Sequence, residues 1–84
     1  MNMTREKAAD IMMDVAERYV DSYSEVGEYS HIIKTDAHDL RKIAYAIEGG
    51  HLLAAKQMVL DLDTAVRDEI PECIWDFLNK QGAA

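Results

Sequence analysis

The chain has 84 residues and a mass of 9.5 kDa, below the ~100 to 200 residues usual for one domain, so it has room for a single core and no second domain. Hydrophobic types make up 49%, eleven of them Ala, which leaves enough larger side chains for one small core; such cores are marginal without a disulfide, a metal or a partner. Nine basic residues against sixteen acidic ones give a formal net charge of −7, which argues against direct nucleic-acid binding by the molecule as a whole.

Apolar runs are only a few residues long, as in Met58-Val59-Leu60, too short for a helical membrane span. The first turns, which include Asp10, lack the basic and apolar segments of a signal peptide. The expected location is the cytoplasm. Cys73 is the only cysteine, so no internal disulfide can form and a reducing compartment is compatible.

One Pro and four Gly leave few breakers, and there is no repeat or low-complexity tract. From Thr4 to about Ser24, Ile11, Met12, Val15, Tyr19, Val20 and Tyr23, with Ala8 and Ala16, recur at helical spacing and predict one amphipathic helix. Thr4 can cap it, and Glu6 suits the positive end of its dipole. Ser24 to Thr35 contains Gly27 and several hydroxyl residues without a helical period, and reads as a connection with Tyr29, Ile32 and Ile33 packing under it. Thr35 or Asp36 then restarts a helix as N-cap, with Leu40, Ile43, Ala44 and Ile47 as its apolar stripe. Gly49-Gly50 ends that helix, because Gly enters the left-handed conformation at little cost.

A third helix is expected from about His51 to Leu62, with Leu52, Ala55, Met58, Val59 and Leu62 inward. Asp63 or Thr64 can cap a short segment ending before Pro71. Pro71 fits the first turn of a last helix carrying Ile74, Trp75, Phe77 and Leu78. The expected fold class is all-α: a compact single-domain bundle over residues 1–84, with four helices, or five if the segment after Asp63 stands alone.

The acids are unevenly placed. Residues 1–28 carry seven acids and three bases, 29–60 three acids and four bases, and 61–84 six acids and two bases, so both ends are acidic and the middle is mildly basic. In the first helix Asp10, Asp14, Glu17, Asp21 and Glu25 are spaced 4, 3, 4 and 4, which confines them to a sector of about 80°, nearly opposite the apolar stripe. Asp68, Glu72 and Asp76 form a second, shorter row at i, i+4 if the chain around Pro71 stays helical. A solvated outer face is normally charged, and that alone accounts for carboxylates there. It does not account for their single sign, because like charges at i, i+4 cost a few tenths of a kcal/mol each and a mixed surface would avoid this. The five carboxylates of the first row span about 22 Å, and such a row could occupy a basic nucleic-acid groove on another protein.

Other chemistry is poorly supported. Asp61, Asp63, Glu69 and Glu72 partly match a calcium loop, but Ala65 and Val66 stand where a ligand and the turn Gly belong. His31, His38 and His51 have no partner at metal-ligand spacing. Cys73 has no basic neighbour to activate it and reads as a small packing residue. Neither a phosphate loop nor a paired-acid signature is present, so neither catalytic residues, nor metal, nor cofactor is expected. Lys34, Arg41, Lys42 and Lys56 form the one basic cluster, suited to solubility and pairing with Asp36 and Asp39, or to contact with an acidic partner or second subunit. Tyr19, Tyr23, Tyr29 and Tyr45 fit the edge of a core or an interface.

Two resemblances add to this. Glu69-Ile70-Pro71-Glu72-Cys73-Ile74-Trp75-Asp76-Phe77-Leu78 resembles the closing segment of the Hha family, where an Ile-Pro precedes an aliphatic-Trp-x-Phe run. The resemblance covers about ten residues and implies a homodimeric regulatory module that binds a nucleoid-structuring protein. In size, charge and carboxylate row the chain also resembles small acidic phage and mobile-element proteins that block host defence, including anti-CRISPR and anti-restriction proteins. That likeness implies partner contacts at Asp10, Asp14, Glu17, Asp21 and Glu25. The leading expectation is a non-enzymatic module that presents an acidic helix face to a protein with a basic surface, with no direct nucleic-acid binding and no membrane. The Hha-like dimer is the alternative, and the many large apolar residues in so short a chain point to self-association.

Overall fold

The computed structural model describes the backbone of residues 3–23 and 30–82, and the side chains of 3–22 and 34–80. The first helix, α1 (Arg5–Tyr23), begins where the sequence supplies a capping oxygen. The Thr4 hydroxyl accepts the Lys7 N–H at 3.1 Å and the Thr4 carbonyl accepts the Ala8 N–H at 2.9 Å, so two of the first unpaired donors of the helix are satisfied. Ala8, Ala9, Met12, Val15 and Ala16 are buried, with Ile11, Met13 and Tyr19 partly buried beside them.

Helix α2 (Ser30–Glu48) starts earlier than the sequence pattern suggests. Residues 30–35 belong to the helix rather than to a connection, and neither Thr35 nor Asp36 is its N-cap. Ser and Thr inside a helix cost only a few tenths of a kcal/mol each, and no Pro or Gly interrupts this stretch. The Asp36 carboxylate is engaged elsewhere: its Oδ2 accepts the Tyr19 hydroxyl of α1 at 2.9 Å. Leu40, Ile43, Ala44 and Ile47 form the expected buried stripe, extended one turn back by Ala37.

The end of α2 is a Schellman turn. The Gly50 N–H bonds to the Ile47 carbonyl at 3.0 Å and the His51 N–H to the Ala46 carbonyl at 2.8 Å, the paired pattern that satisfies terminal carbonyls when the residue between is left-handed. Gly50 has φ 84°, the only positive φ among the described residues, and the Arg5 guanidinium occupies the space a Cβ there would need. The start of α1 is thereby laid against the end of α2, where a cation favours the negative end of the helix dipole.

Helix α3 (Leu52–Asp61) buries Ala55 and Val59, with Leu52, Met58 and Leu62 partly covered. The short α4 (Thr64–Arg67) brings in Val66, and the turn after it buries Ile70. Helix α5 (Glu72–Gly82) follows Pro71 directly. The Pro71 carbonyl accepts the Ile74 N–H at 3.0 Å, which places Pro71 at the cap, one residue ahead of the expected position. Ile74, Phe77 and Leu78 face inward. Cys73 is exposed, against the expectation of a packing role, because it lies about a third of a turn from the Ile74–Leu78 line. Trp75, about a quarter turn to the other side, is half-buried.

The described residues form an all-helical globule of five helices without strands. Helices α1 and α2 share the most extensive contact, α3 packs on α2 and α5, and α5 closes against α1. The Cα radius of gyration is 12.6 Å, close to the ~12 Å of a compact chain of this length. Among the described residues no polar or charged side chain is buried, and no helix is long and apolar enough to cross a membrane.

Candidate functional site

Asp10, Asp14, Glu17 and Asp21 are all exposed on α1. At about 100° per residue they occupy a sector of roughly 60°, centred almost opposite the buried Ala8, Met12, Val15 and Ala16. One side of the helix is committed to the core and the other to solvent. Glu25 lies outside the described residues. The row is not purely anionic: Arg18 reaches back one turn to form an ion pair with Asp14, both side chains half or more exposed. Such a pair on a helix surface contributes roughly 0.3 to 0.5 kcal/mol and removes one negative charge from the middle of the face.

The second row is broken as a helical ladder. Asp68 ends α4 and Glu72 begins α5, and the intervening turn carries Glu69 N–H to Val66 carbonyl and Ile70 N–H to Arg67 carbonyl bonds. The three carboxylates are nevertheless exposed and border one groove of about 570 Å³, open to solvent, floored by Ile70 and Trp75. Arg67 also borders the groove, but its Nη2 lies 3.5 Å from the Thr64 hydroxyl, and among the described residues no cation pairs with Asp68, Glu72 or Asp76. The acids were legible in the sequence as a group. Trp75 as their neighbour was not, although its i+3 spacing from Glu72 was the available signal.

The remaining candidates stay apart. Among the described residues no three His, Cys, Asp or Glu side chains gather so as to hold a metal ion; His38 and His51 are exposed, and the side chain of His31 lies outside the described set. Lys34, Arg41, Lys42 and Lys56 make no ion pair with Asp36 or Asp39. Asp39 and Lys42 instead flank a cleft of about 170 Å³ between α2 and α3, lined also by Ile43, Met58, Asp61 and Leu62, below the ~300 to 1,000 Å³ of small-molecule sites. Of the tyrosines, Tyr19 sits at the core edge, as expected, and Tyr45 is 60% exposed. Leu53 and Leu60 are 69% and 45% exposed on the outer side of α3, consistent with an inward stripe that left both of them out. Compared with protein-family models, with curated proteins and with solved structures, the chain matches none.

Proposed function

We propose that the chain is a non-enzymatic interaction module that presents the outer face of α1 to a basic surface on another protein. The observation that carries this reading is the exposure of Asp10, Asp14, Glu17 and Asp21 on the side of α1 opposite its buried residues. A rigid helix holds the four carboxylates at fixed separations, the arrangement that complements a positively charged groove and speeds encounter with it. In its finer form the partner is a nucleic-acid-binding defence complex, and the chain acts as a phage-type inhibitor that competes for the nucleic-acid site without binding nucleic acid itself. Self-association belongs to the same reading, with Tyr45, Leu53 and Leu60 as the large apolar side chains left exposed among the described residues.

The experiment compares the wild-type chain with the Asp10→Lys/Glu17→Lys variant as bait in affinity capture, followed by dissociation constants for the captured protein across a salt titration. A basic partner lost by the folded variant, with affinity falling as salt rises, supports the reading. An equal dissociation constant for the two chains refutes it. The Hha-like alternative would place the contact on α5, but Ile74, Phe77 and Leu78 are buried in the chain's own core, and this leaves α5 little apolar surface for a dimer seam.

A further inference from the structure

The groove beside α5 combines an apolar floor with three carboxylates that form no ion pair among the described residues; Arg67 is the one base of its lining, which stays net negative. Ile70 is 6% exposed and Trp75 half-buried, while Asp68, Glu72 and Asp76 stand exposed around them. We propose that this groove seats an arginine side chain from a basic protein segment, the guanidinium lying on the face of Trp75 with the three carboxylates around its charge. The inference rests on the reading of the chain as a binder of basic proteins, and adds a second, separate contact to the α1 face.

Three observations select this occupant. An indole face attracts a cation, and a planar, weakly hydrated guanidinium stacks on it better than an ammonium does. Arg67 borders the same groove but pairs with none of the three carboxylates among the described residues, so three acids against one base leave an excess of negative charge that a cation from outside can complement. The carboxylates are also spread along the groove rather than gathered as a metal-binding group. The groove is open to solvent, a shape that covers one side chain of an extended segment but cannot enclose a small molecule, which needs most of its surface buried.

Trp75 is the only tryptophan, so its fluorescence reports occupancy directly. The probe is a peptide of alternating Arg and Gly, titrated at low ionic strength into the full chain. The expected result is a saturable change in Trp75 emission that weakens with added salt. Neutralising the rim in Asp68→Asn/Glu72→Gln/Asp76→Asn is expected to weaken binding about tenfold, each exposed charge contributing a few-fold. Trp75→Leu, followed by calorimetry, is expected to lose about threefold through the missing ring face. A lysine-for-arginine peptide of equal charge is expected to bind more weakly. All variants are first confirmed as folded by circular dichroism.

Absence of binding, saturation without an emission change, or equal affinity for the neutralised rim overturns the groove proposal. Equal affinity for the lysine peptide overturns the assignment of arginine. The Asp10→Lys/Glu17→Lys chain is expected to keep the Trp75 signal. If it loses that signal while the neutralised-rim chain keeps it, peptide binding belongs to α1, which overturns the groove and leaves the α1 reading standing.

Discussion

Tyr19 of α1 donates its hydroxyl to Asp36 of α2 at 2.9 Å, across a partly buried seam seventeen residues apart in sequence. This bond joins the two longest helices where their apolar stripes give way to solvent. Hydrogen bonds to a charged group contribute about 1.5 to 3 kcal/mol when buried and less as water competes. A double-mutant cycle of Tyr19→Phe and Asp36→Ala, measured by urea unfolding, is expected to give a coupling of about 1 kcal/mol. Purely additive losses would show that the contact does not stabilise the fold.

The left-handed turn at Gly50 gives a second test. Gly50→Ala is expected to cost about 1 to 2 kcal/mol from the backbone alone, with a further loss because the Arg5 guanidinium must move. Arg5→Ala in the same chain should recover the second part and not the first. Full recovery in the double variant would assign the whole effect to crowding.

Burial separates the leucines and isoleucines sharply. Ile43 and Leu78 are fully buried, whereas Leu53 is 69% exposed. Ile43→Ala or Leu78→Ala is expected to lose about 2 to 5 kcal/mol, and Leu53→Ala less than about 0.5 kcal/mol, by denaturant midpoint. A large loss at Leu53 would show that α3 is covered in solution by a second copy.

Arg18 moderates the acidic face through its ion pair with Asp14. Arg18→Ala should therefore tighten binding to a basic partner while costing about 0.5 kcal/mol of stability or less. Unchanged affinity would remove the middle of α1 from the contact.

The parts of the fold readable in the sequence were those governed by a local rule. The Thr4 cap, the Leu40–Ile47 stripe and the Gly49-Gly50 stop each depend on residues within a turn of one another. The start of α2, the partner of Asp36 and the exposure of Cys73 depend on how separate helices meet, and spacing within one helix carries no record of that. The spacing of the α1 row was legible because Asp10, Asp14, Glu17 and Asp21 repeat within a single helix. The α4–α5 groove was only half legible: its carboxylates show as a repeat, but the aromatic floor between them is produced by the turn that breaks that repeat.

The two sides of α1 answer to different constraints. Its inner side is built from Ala8, Ala9 and Ala16, each 3% exposed or less, together with Met12 and Val15, and a larger residue at one of the alanines would overpack the core at about 1 to 3 kcal/mol. Its outer side carries the exposed Asp10, Asp14 and Glu17. On the proposed reading, the contact could therefore be rewritten by surface substitutions on α1 alone, with the packing of the bundle untouched.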